Sequence, residues 1–196
     1  MLHLINDIID MLQIREKKLR LVFQPENLHE TLKNTGQLVE IPAKKKNIDF
    51  KVELDSALPE NFNADHLRLS QIVLNLLTNA IKFTKEGMVK LKAVPIEHTS
   101  WVKIVVEDSG IGITQENQNR LFTNYTRIEF EGRQEINPTG VGLGLNIASN
   151  LAELLAPKSH PESVFLMFPT KALFFPLSWR ITEELLLLSL EKDKKM

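Results

Sequence analysis

The chain has 196 residues and a formal net charge of −1, with 24 basic side chains, 25 acidic side chains and no cysteine. This charge balance gives no support for nucleic-acid binding, and the lack of cysteine excludes disulfides and thiolate metal sites. No apolar stretch reaches the roughly 20 residues that cross a bilayer, so we expect no direct insertion of this segment into a membrane. The lack of cysteine is compatible with a reducing cytoplasm, where we expect this segment to lie, while membrane anchoring of a longer parent protein stays open.

The N-terminal segment, residues 1–20, has apolar residues near heptad spacing, which favours a helix that pairs with other helices. These residues are Met1, Ile5, Ile8, Leu12 and Leu19. His3 lies in this helix without an acidic neighbour that would orient it as a nucleophile. We therefore interpret His3 as an ordinary helical side chain.

The next segment predicts a second helix followed by a strand. Asn27, with Glu30 three residues later, is typical of a capping box and begins a helix that extends to about Lys46. Apolar and polar residues then alternate over 48–54, which predicts a strand with one buried face.

A third helix, with Asp65 as its predicted N-cap, carries three polar residues among its leucines. Asn75, Asn79 and Lys82 are spaced i, i+4 and i+7, so they project from one side of the helix. An asparagine carbonyl is a suitable Mg²⁺ ligand, and a lysine supplies a point charge for phosphate oxygens. Taken alone, the pattern also fits the polar surface of a packed helix.

Two strands over 89–93 and 101–107 are predicted to form a hairpin, and Asp108 follows the second of them. A carboxylate at this place can accept the amino hydrogens of adenine, whereas guanine carries an oxygen, which is no donor, at the position of that amine. Gly110 and Gly112 allow the backbone to approach a base closely. An ordinary Asp-Ser-Gly turn is the alternative.

A run of alternating glycines comes directly before a predicted amphipathic helix over 145–155. Gly140, Gly142 and Gly144 would expose backbone N–H groups at the positive end of that helix, where anions bind. The spacing fits neither a Walker A loop nor a dinucleotide fingerprint. A flexible loop without a ligand remains the alternative.

In this order, the three motifs resemble the N box, first glycine box and second glycine box of the histidine-kinase ATP-binding domain, whose superfamily includes gyrase, heat-shock chaperones and mismatch-repair ATPases. They are NLLTNAIKFT at Asn75–Thr84, EDSGIGI at Glu107–Ile113 and TGVGLGLNIA at Thr139–Ala148. LFTNYTRI at Leu121–Ile128 resembles the intervening F box, with Tyr125 where a second phenylalanine is usual. Residues 129–138 then correspond to the mobile lid, and the resemblance extends from about Leu2 to Lys158.

The element order and the resemblance both imply an α/β fold of the α+β kind, a two-layer sandwich with helices on one face of a mixed, mostly antiparallel sheet. In this family it is called a Bergerat-type ATP-binding fold. We expect this domain to span residues 21–158. Residues 1–20 would be the second helix of a dimerisation hairpin, and residues 159–196 a divergent tail.

The resemblance also implies ATP and Mg²⁺ as ligands and a role for each motif residue. Asn79 would bind Mg²⁺, Lys82 would approach the phosphates, and Asp108 would hold the adenine amine. The other implied roles are the adenine pocket wall (Phe83), the base site (Gly110, Gly112), the lid anchors (Phe122, Tyr125), a terminal-phosphate contact (Arg127) and the phosphate-side hinge (Gly140, Gly142, Gly144, Leu145). Asn75 stands where related hydrolases place a glutamate that activates water. An amide cannot serve as that base, which favours a kinase over a hydrolase.

The implied reaction is transfer of the ATP γ-phosphoryl group to a histidine on a separate dimerisation domain, within two-component phosphorelay signalling. The acceptor motif, His-Glu-x-x-x-Pro, does not occur in this sequence. A response-regulator receiver domain is the expected next partner, and a homodimer through the N-terminal helix is a further expectation. Two alternatives stay open, a non-catalytic regulator that binds nucleotide or a partner kinase, and a water-using ATPase of the same superfamily.

After Lys158 the resemblance ends, because the family's closing strands and their Gly-Lys-Gly-Ser turn are not found. Short edge strands over 164–168 and 173–175 are possible. Thr182, with two glutamates after it and lysines at the far end, predicts a terminal helix. Either a divergent C-terminal segment covers the sheet, or the tail comes from a shifted reading frame or a mis-joined exon. We slightly favour the second alternative.

Overall fold

A computed structural model describes residues 2–96, 101–112, 143–155 and 186–189 of the chain. These residues form both helices and strands, in agreement with the predicted α+β class. The helices are α1 (Leu2–Arg15), α2 (Leu28–Lys45), α3 (His66–Phe83) and α4 (Gly144–Leu155). The strands are β1 (Gln24–Glu26), β2 (Ile48–Leu54), β3 (Phe62–Ala64), β4 (Gly87–Pro95), β5 (Trp101–Asp108) and β6 (Leu186–Ser189).

The main sheet has the strand order β2-β4-β5-β6. β2 runs parallel to β4, whereas β4, β5 and β6 pair antiparallel. The predicted mixed, mostly antiparallel sheet and the hairpin of β4 with β5 are therefore confirmed. A second, two-stranded sheet of β1 and β3 was not predicted, because three-residue strands are too short to show an alternating pattern.

Both predicted N-caps begin their helices. The Asn27 side chain accepts a hydrogen bond from the Glu30 amide at 3.1 Å, and the Asp65 side chain accepts one from the Arg68 amide at 3.0 Å. Asp65 also accepts a bond from the Val22 amide at 2.9 Å, so it fixes the segment before β1 to the start of α3. The bonds from the Glu30 and Arg68 amides satisfy helix N–H groups that have no partner within the helix.

The core lies between the helices and one face of the sheet. Alternate residues of β4 and β5 are buried, as are the apolar faces of α2, α3 and α4. The buried residues of β4 and β5 are Val89, Leu91, Ala93, Val102, Ile104 and Val106. On the other face of the sheet, Lys92 lies 2.8 Å from Glu107 and Lys90 lies 3.2 Å from Glu53. One apolar face and one charged face identify a two-layer sandwich.

Helix α1 packs on α3 and α4 through one face and exposes the other. The Asp10 carboxylate accepts hydrogen bonds from Arg68 at 2.9 Å and from Gln71 at 2.7 Å, which connects α1 to α3. Ile5, Ile8 and Leu12 of the predicted seam lie on the exposed face, each between 41% and 49% exposed. The extension of this helix to Leu19 is wrong, because α1 ends at Arg15 and Lys17 adopts a positive φ of 54°.

The predicted terminal helix is also wrong over the residues described in the tail. Leu186–Ser189 form strand β6, with Leu188 opposite Val102 and Leu186 opposite Ile104. The open edge of β5 offers backbone partners to a run of leucines, and that tertiary contact overrides the capping signal at Thr182. A strand on this edge supports the interpretation in which the tail covers the sheet. The predicted edge strands over 164–168 and 173–175 lie outside the described residues.

Within the described ranges, no helix combines the length and apolarity needed to span a bilayer.

Candidate functional site

The polar side of α3 is half-buried at the three positions that its spacing singles out. Asn75, Asn79 and Lys82 are partly exposed, whereas Leu76, Leu77 and Ala80 beside them are buried in the core. Within the part of the chain that the structure describes, the Asn79 side chain makes no hydrogen bond, so its amide oxygen is available to a ligand. The helix therefore presents a carbonyl oxygen and an ammonium group along one accessible side.

Asn75 connects this helix to the glycine motif. Its Nδ2 donates a hydrogen bond to the backbone oxygen of Gly144, the first residue of α4, at 3.2 Å. A Cβ atom at Gly144 would lie 3.4 Å from the Asn75 Oδ1, so the two elements are in close contact. Leu145 follows on α4 and is half-buried. The N-terminus of α4, where anions bind, thus lies beside the polar side of α3.

Asp108 and its glycines form a turn that packs against the other end of α3. The Asp108 Oδ1 accepts a hydrogen bond from the Gly110 amide at 2.8 Å, and the Ile111 amide donates to the Phe83 carbonyl at 3.3 Å. A Cβ atom at Gly110 would come within 2.7 Å of the Asp108 Oδ1 and 2.8 Å of the Phe83 oxygen. Only glycine allows this approach. Gly112 is buried with a φ of 71°, which also favours glycine.

Lys82 and Phe83 lie together at the C-terminal end of α3. The Lys82 Nζ lies 5.4 Å from the centre of the Phe83 ring, a cation–π distance. Both side chains are half-buried. Both residues thus lie at the end of α3 that contacts the Asp108 turn through the Phe83 carbonyl.

A second contact of the Asp108 turn was not predicted from the sequence. The Ser109 amide donates to the Met88 oxygen at 3.0 Å, and the Met88 amide donates to the Ser109 Oγ at 2.9 Å. These bonds join the end of β5 to the start of β4. Gly87, with a φ of 114°, allows the close approach of Ser109 and is the one sequence signal that could have indicated it.

Burial raises the pKa of the Asp108 carboxyl above its usual value of 3.8, and the hydrogen bond from the Gly110 amide opposes that rise. The same turn satisfies one carboxylate oxygen only. Among the described residues, the Asp108 Oδ2 accepts no hydrogen bond. A partly desolvated acceptor without a protein donor is suited to an amine from a ligand.

This raised pKa predicts how stability depends on pH. The folded state binds the Asp108 proton more tightly than the unfolded state, so the free energy of unfolding should fall as the pH rises above about 4. Asp108→Asn removes this titration. Urea unfolding of both proteins between about pH 4 and pH 7 should show the wild type losing stability relative to the variant. A constant difference between the two proteins across that range would contradict the prediction.

Five predicted site residues lie outside the described residues, and no contact can be assigned to them. They are Phe122, Tyr125, Arg127, Gly140 and Gly142. The other nine are distributed over α3, the Asp108 turn and the start of α4, and α3 contacts both of the other elements. Among the described residues no group of three or more His, Cys, Asp or Glu side chains could hold a metal ion. The assignment of Asn79 as a Mg²⁺ ligand stays a prediction.

The family model described as "Histidine kinase-, DNA gyrase B-, and HSP90-like ATPase" matches residues 64–164. The chain belongs to this family. The matched segment includes α3, the Asp108 turn and α4, which are the elements that form the site. The predicted histidine-kinase type of ATP-binding domain and its sandwich fold are confirmed.

Relatives within the family are sensor and hybrid kinases. The chain is 37% identical over 153 residues to an aerobic respiration control sensor protein ArcB homolog of Haemophilus influenzae, covering 78% of this chain and 46% of that protein. It is 34% identical to hybrid signal transduction histidine kinase B of Dictyostelium discoideum over 84% of this chain and 8% of that protein. The chain thus spans less than half of these relatives.

Solved structures agree with the family assignment. Full-length ShkA in complex with AMPPNP aligns with a TM-score of 0.67 at 31% identity, covering 79% of this chain and 31% of that one. The catalytic domain of histidine kinase ThkA aligns with a TM-score of 0.56 at 29% identity, over 68% of this chain and 81% of that one.

Proposed function

We propose that this domain binds ATP with Mg²⁺ and acts as the catalytic module of a sensor histidine kinase. It would transfer the γ-phosphoryl group to a histidine on a dimerisation domain, in two-component phosphorelay signalling. One observation carries the proposal: α3 contacts the Asp108 turn through Phe83 and the start of α4 through Asn75. A base site and an anion site therefore lie at two points of one helix.

The base end of the site is suited to adenine. The Asp108 Oδ1 is occupied by the Gly110 amide, which leaves Oδ2 to accept the adenine amine. Gly110 and Gly112 keep the adjoining backbone free of side chains, and the Phe83 ring offers an apolar surface. A guanine in the same orientation would set its oxygen against the carboxylate, so we expect discrimination against GTP.

At the phosphate end, three features would supply positive charge to the negatively charged phosphates of ATP. Lys82 supplies an ammonium group, the N-terminus of α4 supplies backbone N–H groups, and Asn79 would hold Mg²⁺ through its amide oxygen. The bound Mg²⁺ would neutralise charge that develops on the phosphate oxygens. Arg127 and the lid anchors Phe122 and Tyr125 would complete this end, with Gly140 and Gly142 as part of the hinge. Catalysis here is positioning and electrostatic stabilisation.

In the reaction, an imidazole nitrogen of the acceptor histidine attacks the γ-phosphorus, the bond to the β-γ bridging oxygen breaks, and ADP leaves. No base from this domain is needed, because the neutral imidazole already has a lone pair. The contact of Asn75 supports transfer over hydrolysis. Its Nδ2 donates to the Gly144 carbonyl, and a glutamate in its place would set a carboxylate against that oxygen.

The acceptor histidine would come from a dimerisation domain, and a response-regulator receiver domain would accept the phosphoryl group next. α1 supports a homodimer through the N-terminal helix, because its apolar face remains exposed when the opposite face packs on α3 and α4. That face contains Ile5, Ile8, Ile9 and Leu12. We propose a cytoplasmic location for this segment.

Phosphorylation of a supplied hairpin tests the proposal. The chain is incubated with radiolabelled ATP, Mg²⁺ and a dimerisation hairpin that carries its histidine. We expect label on the hairpin with the wild type and at least about 100-fold less with Asn79→Ala or Asp108→Ala. Gln37→Ala, at an exposed position of α2, is the matched control and should label normally.

Labelling that survives both site changes would overturn the site assignment. Nucleotide binding without any transfer, or binding that does not depend on Mg²⁺, would instead identify a non-catalytic regulator. Phosphate release from ATP that resists Asn75→Ala would indicate a hydrolase with a base elsewhere.

A further inference from the structure

The last carbonyl groups of α3 lie at the base end of the proposed site and need hydrogen-bond partners. Ala80 O accepts a bond from the Thr84 amide at 3.0 Å, and Phe83 O accepts one from the Ile111 amide at 3.3 Å. The two carbonyls between them are bound by one side chain from another helix. Lys46 Nζ donates to Ile81 O at 2.8 Å and to Lys82 O at 2.9 Å.

The position of Lys46 is fixed by the end of α2. Lys46 is the C-cap residue, and its amide donates to Ala43 O at 3.0 Å. Asn47 then takes a φ of 57°, which turns the chain from α2 into β2. The ammonium group reaches across to the negative end of the α3 dipole, where a cation is stabilised. The contact is therefore directed by backbone geometry on both sides.

This contact joins α2 to the residues that form the base site. The bonds of Lys46 hold the carbonyls immediately before Phe83 O, which receives the Ile111 amide of the Asp108 turn. Thr84, the residue after Phe83, is fully buried, and its oxygen lies 3.5 Å from the same Nζ. A shift of the helix end would thus move Phe83 and the turn together.

We infer that Lys46 is a positioning residue of the nucleotide site, which fixes the end of α3 so that Phe83 and the Asp108 turn keep the spacing that the purine base requires. This inference rests on the proposed function, because it concerns the same pocket. In this role Lys46 acts through the backbone of α3 and needs no contact with the nucleotide. The sequence gives no sign of this role, since Lys46 is one of three consecutive lysines.

Lys45 offers a matched control. It is exposed, it precedes Lys46 at the end of α2, and its side chain makes no hydrogen bond or ion pair with the described residues. Lys45→Met removes the same charge from the same helix end. Any difference between Lys45→Met and Lys46→Met therefore reports the contact with α3 and not the net charge.

The test has two readouts, both taken well below the melting temperature. Calorimetry measures the affinity for ATP, and hydrogen exchange measures the protection of the Ile111 amide. For Lys46→Met we expect about tenfold weaker ATP binding and faster exchange at Ile111. Lys46→Arg, which can donate to both carbonyls, should restore both values. Lys45→Met should match the wild type in both.

Hydrogen exchange at Ile111 is measured without nucleotide, so it reports on the contact of Lys46 with α3 even if the proposed function is wrong. A wild type that fails to bind ATP would refute the proposed function and leave the effect on Ile111 to be measured. A Lys46→Met protein that melts earlier but keeps normal affinity and normal Ile111 exchange would show a purely structural role and overturn the inference. If Lys46→Met does not fold, Lys46→Gln serves, since its shorter side chain cannot reach both carbonyls, and the same two readouts decide.

Discussion

Asp108→Asn is expected to weaken ATP binding by about 100-fold and to shift the preference of the site towards GTP. The reason is the hydrogen bond from the Gly110 amide to the Asp108 Oδ1, at 2.8 Å. In the variant this amide still requires an oxygen acceptor, so the side-chain oxygen stays on that side. The new NH₂ group then occupies the position of Oδ2 and faces the base.

An NH₂ group at this position repels the adenine amine and can donate to the guanine oxygen. Calorimetric titration with ATP and with GTP measures the ratio of the two affinities. Asp108→Ala is the control, because it removes the acceptor without adding a donor and should lose ATP without gaining GTP. An unchanged ratio in Asp108→Asn would mean that this side chain does not read the base.

Much of the fold could be predicted because its signals are local. The caps at Asn27 and Asp65 each form within three residues of their helix start, and alternating apolar residues mark β2, β4 and β5 directly. These features depend on neighbouring residues in the sequence, so they are visible without knowledge of the tertiary structure.

The errors arose where distant parts of the chain determine the structure. The leucines of β6 follow a helix-capping signal in the sequence at Thr182, but the free edge of β5 pairs them as a strand. Leu19 continues the heptad spacing of α1, yet α1 ends at Arg15 and the chain turns at Lys17. Sequence spacing alone does not show where a helix reaches the body of the domain.

The site shows the same division. Motif spacing predicts which side chains bear the chemistry, and the structure leaves all three of them, Asn75, Asn79 and Lys82, partly exposed on α3. The spacing did not indicate how they are held. The bond of Asn75 to Gly144 and that of Lys46 to Ile81 cross 69 and 35 residues of sequence. Such contacts join elements that only the folded chain brings together.

Gly110→Ala is expected to affect the site most directly, because the new methyl group has no space. It would lie 2.7 Å from the Asp108 Oδ1 and 2.8 Å from the Phe83 oxygen, the second of which is backbone that cannot rotate away. The turn must then separate from the end of α3. We expect the free energy of unfolding to fall by about 2 kcal/mol and ATP affinity to fall by at least about 100-fold.

Gly36→Ala is the matched control. A Cβ atom at Gly36 would lie 2.8 Å from the Val52 Cγ2, an overlap similar to that at Gly110. Here the overlap is with a side chain, and Gly36 lies far from the site in the sequence. The substitution should change stability through the contact of α2 with the sheet and leave ATP affinity unchanged. Urea unfolding and calorimetric titration of both variants separate the two effects. The titrations are made at a temperature where both variants stay folded, so a loss of global stability does not lower the ATP affinity of either. Reduced ATP binding in Gly110→Ala alone assigns the effect to the Asp108 turn. Normal ATP binding in both variants would place the base site elsewhere.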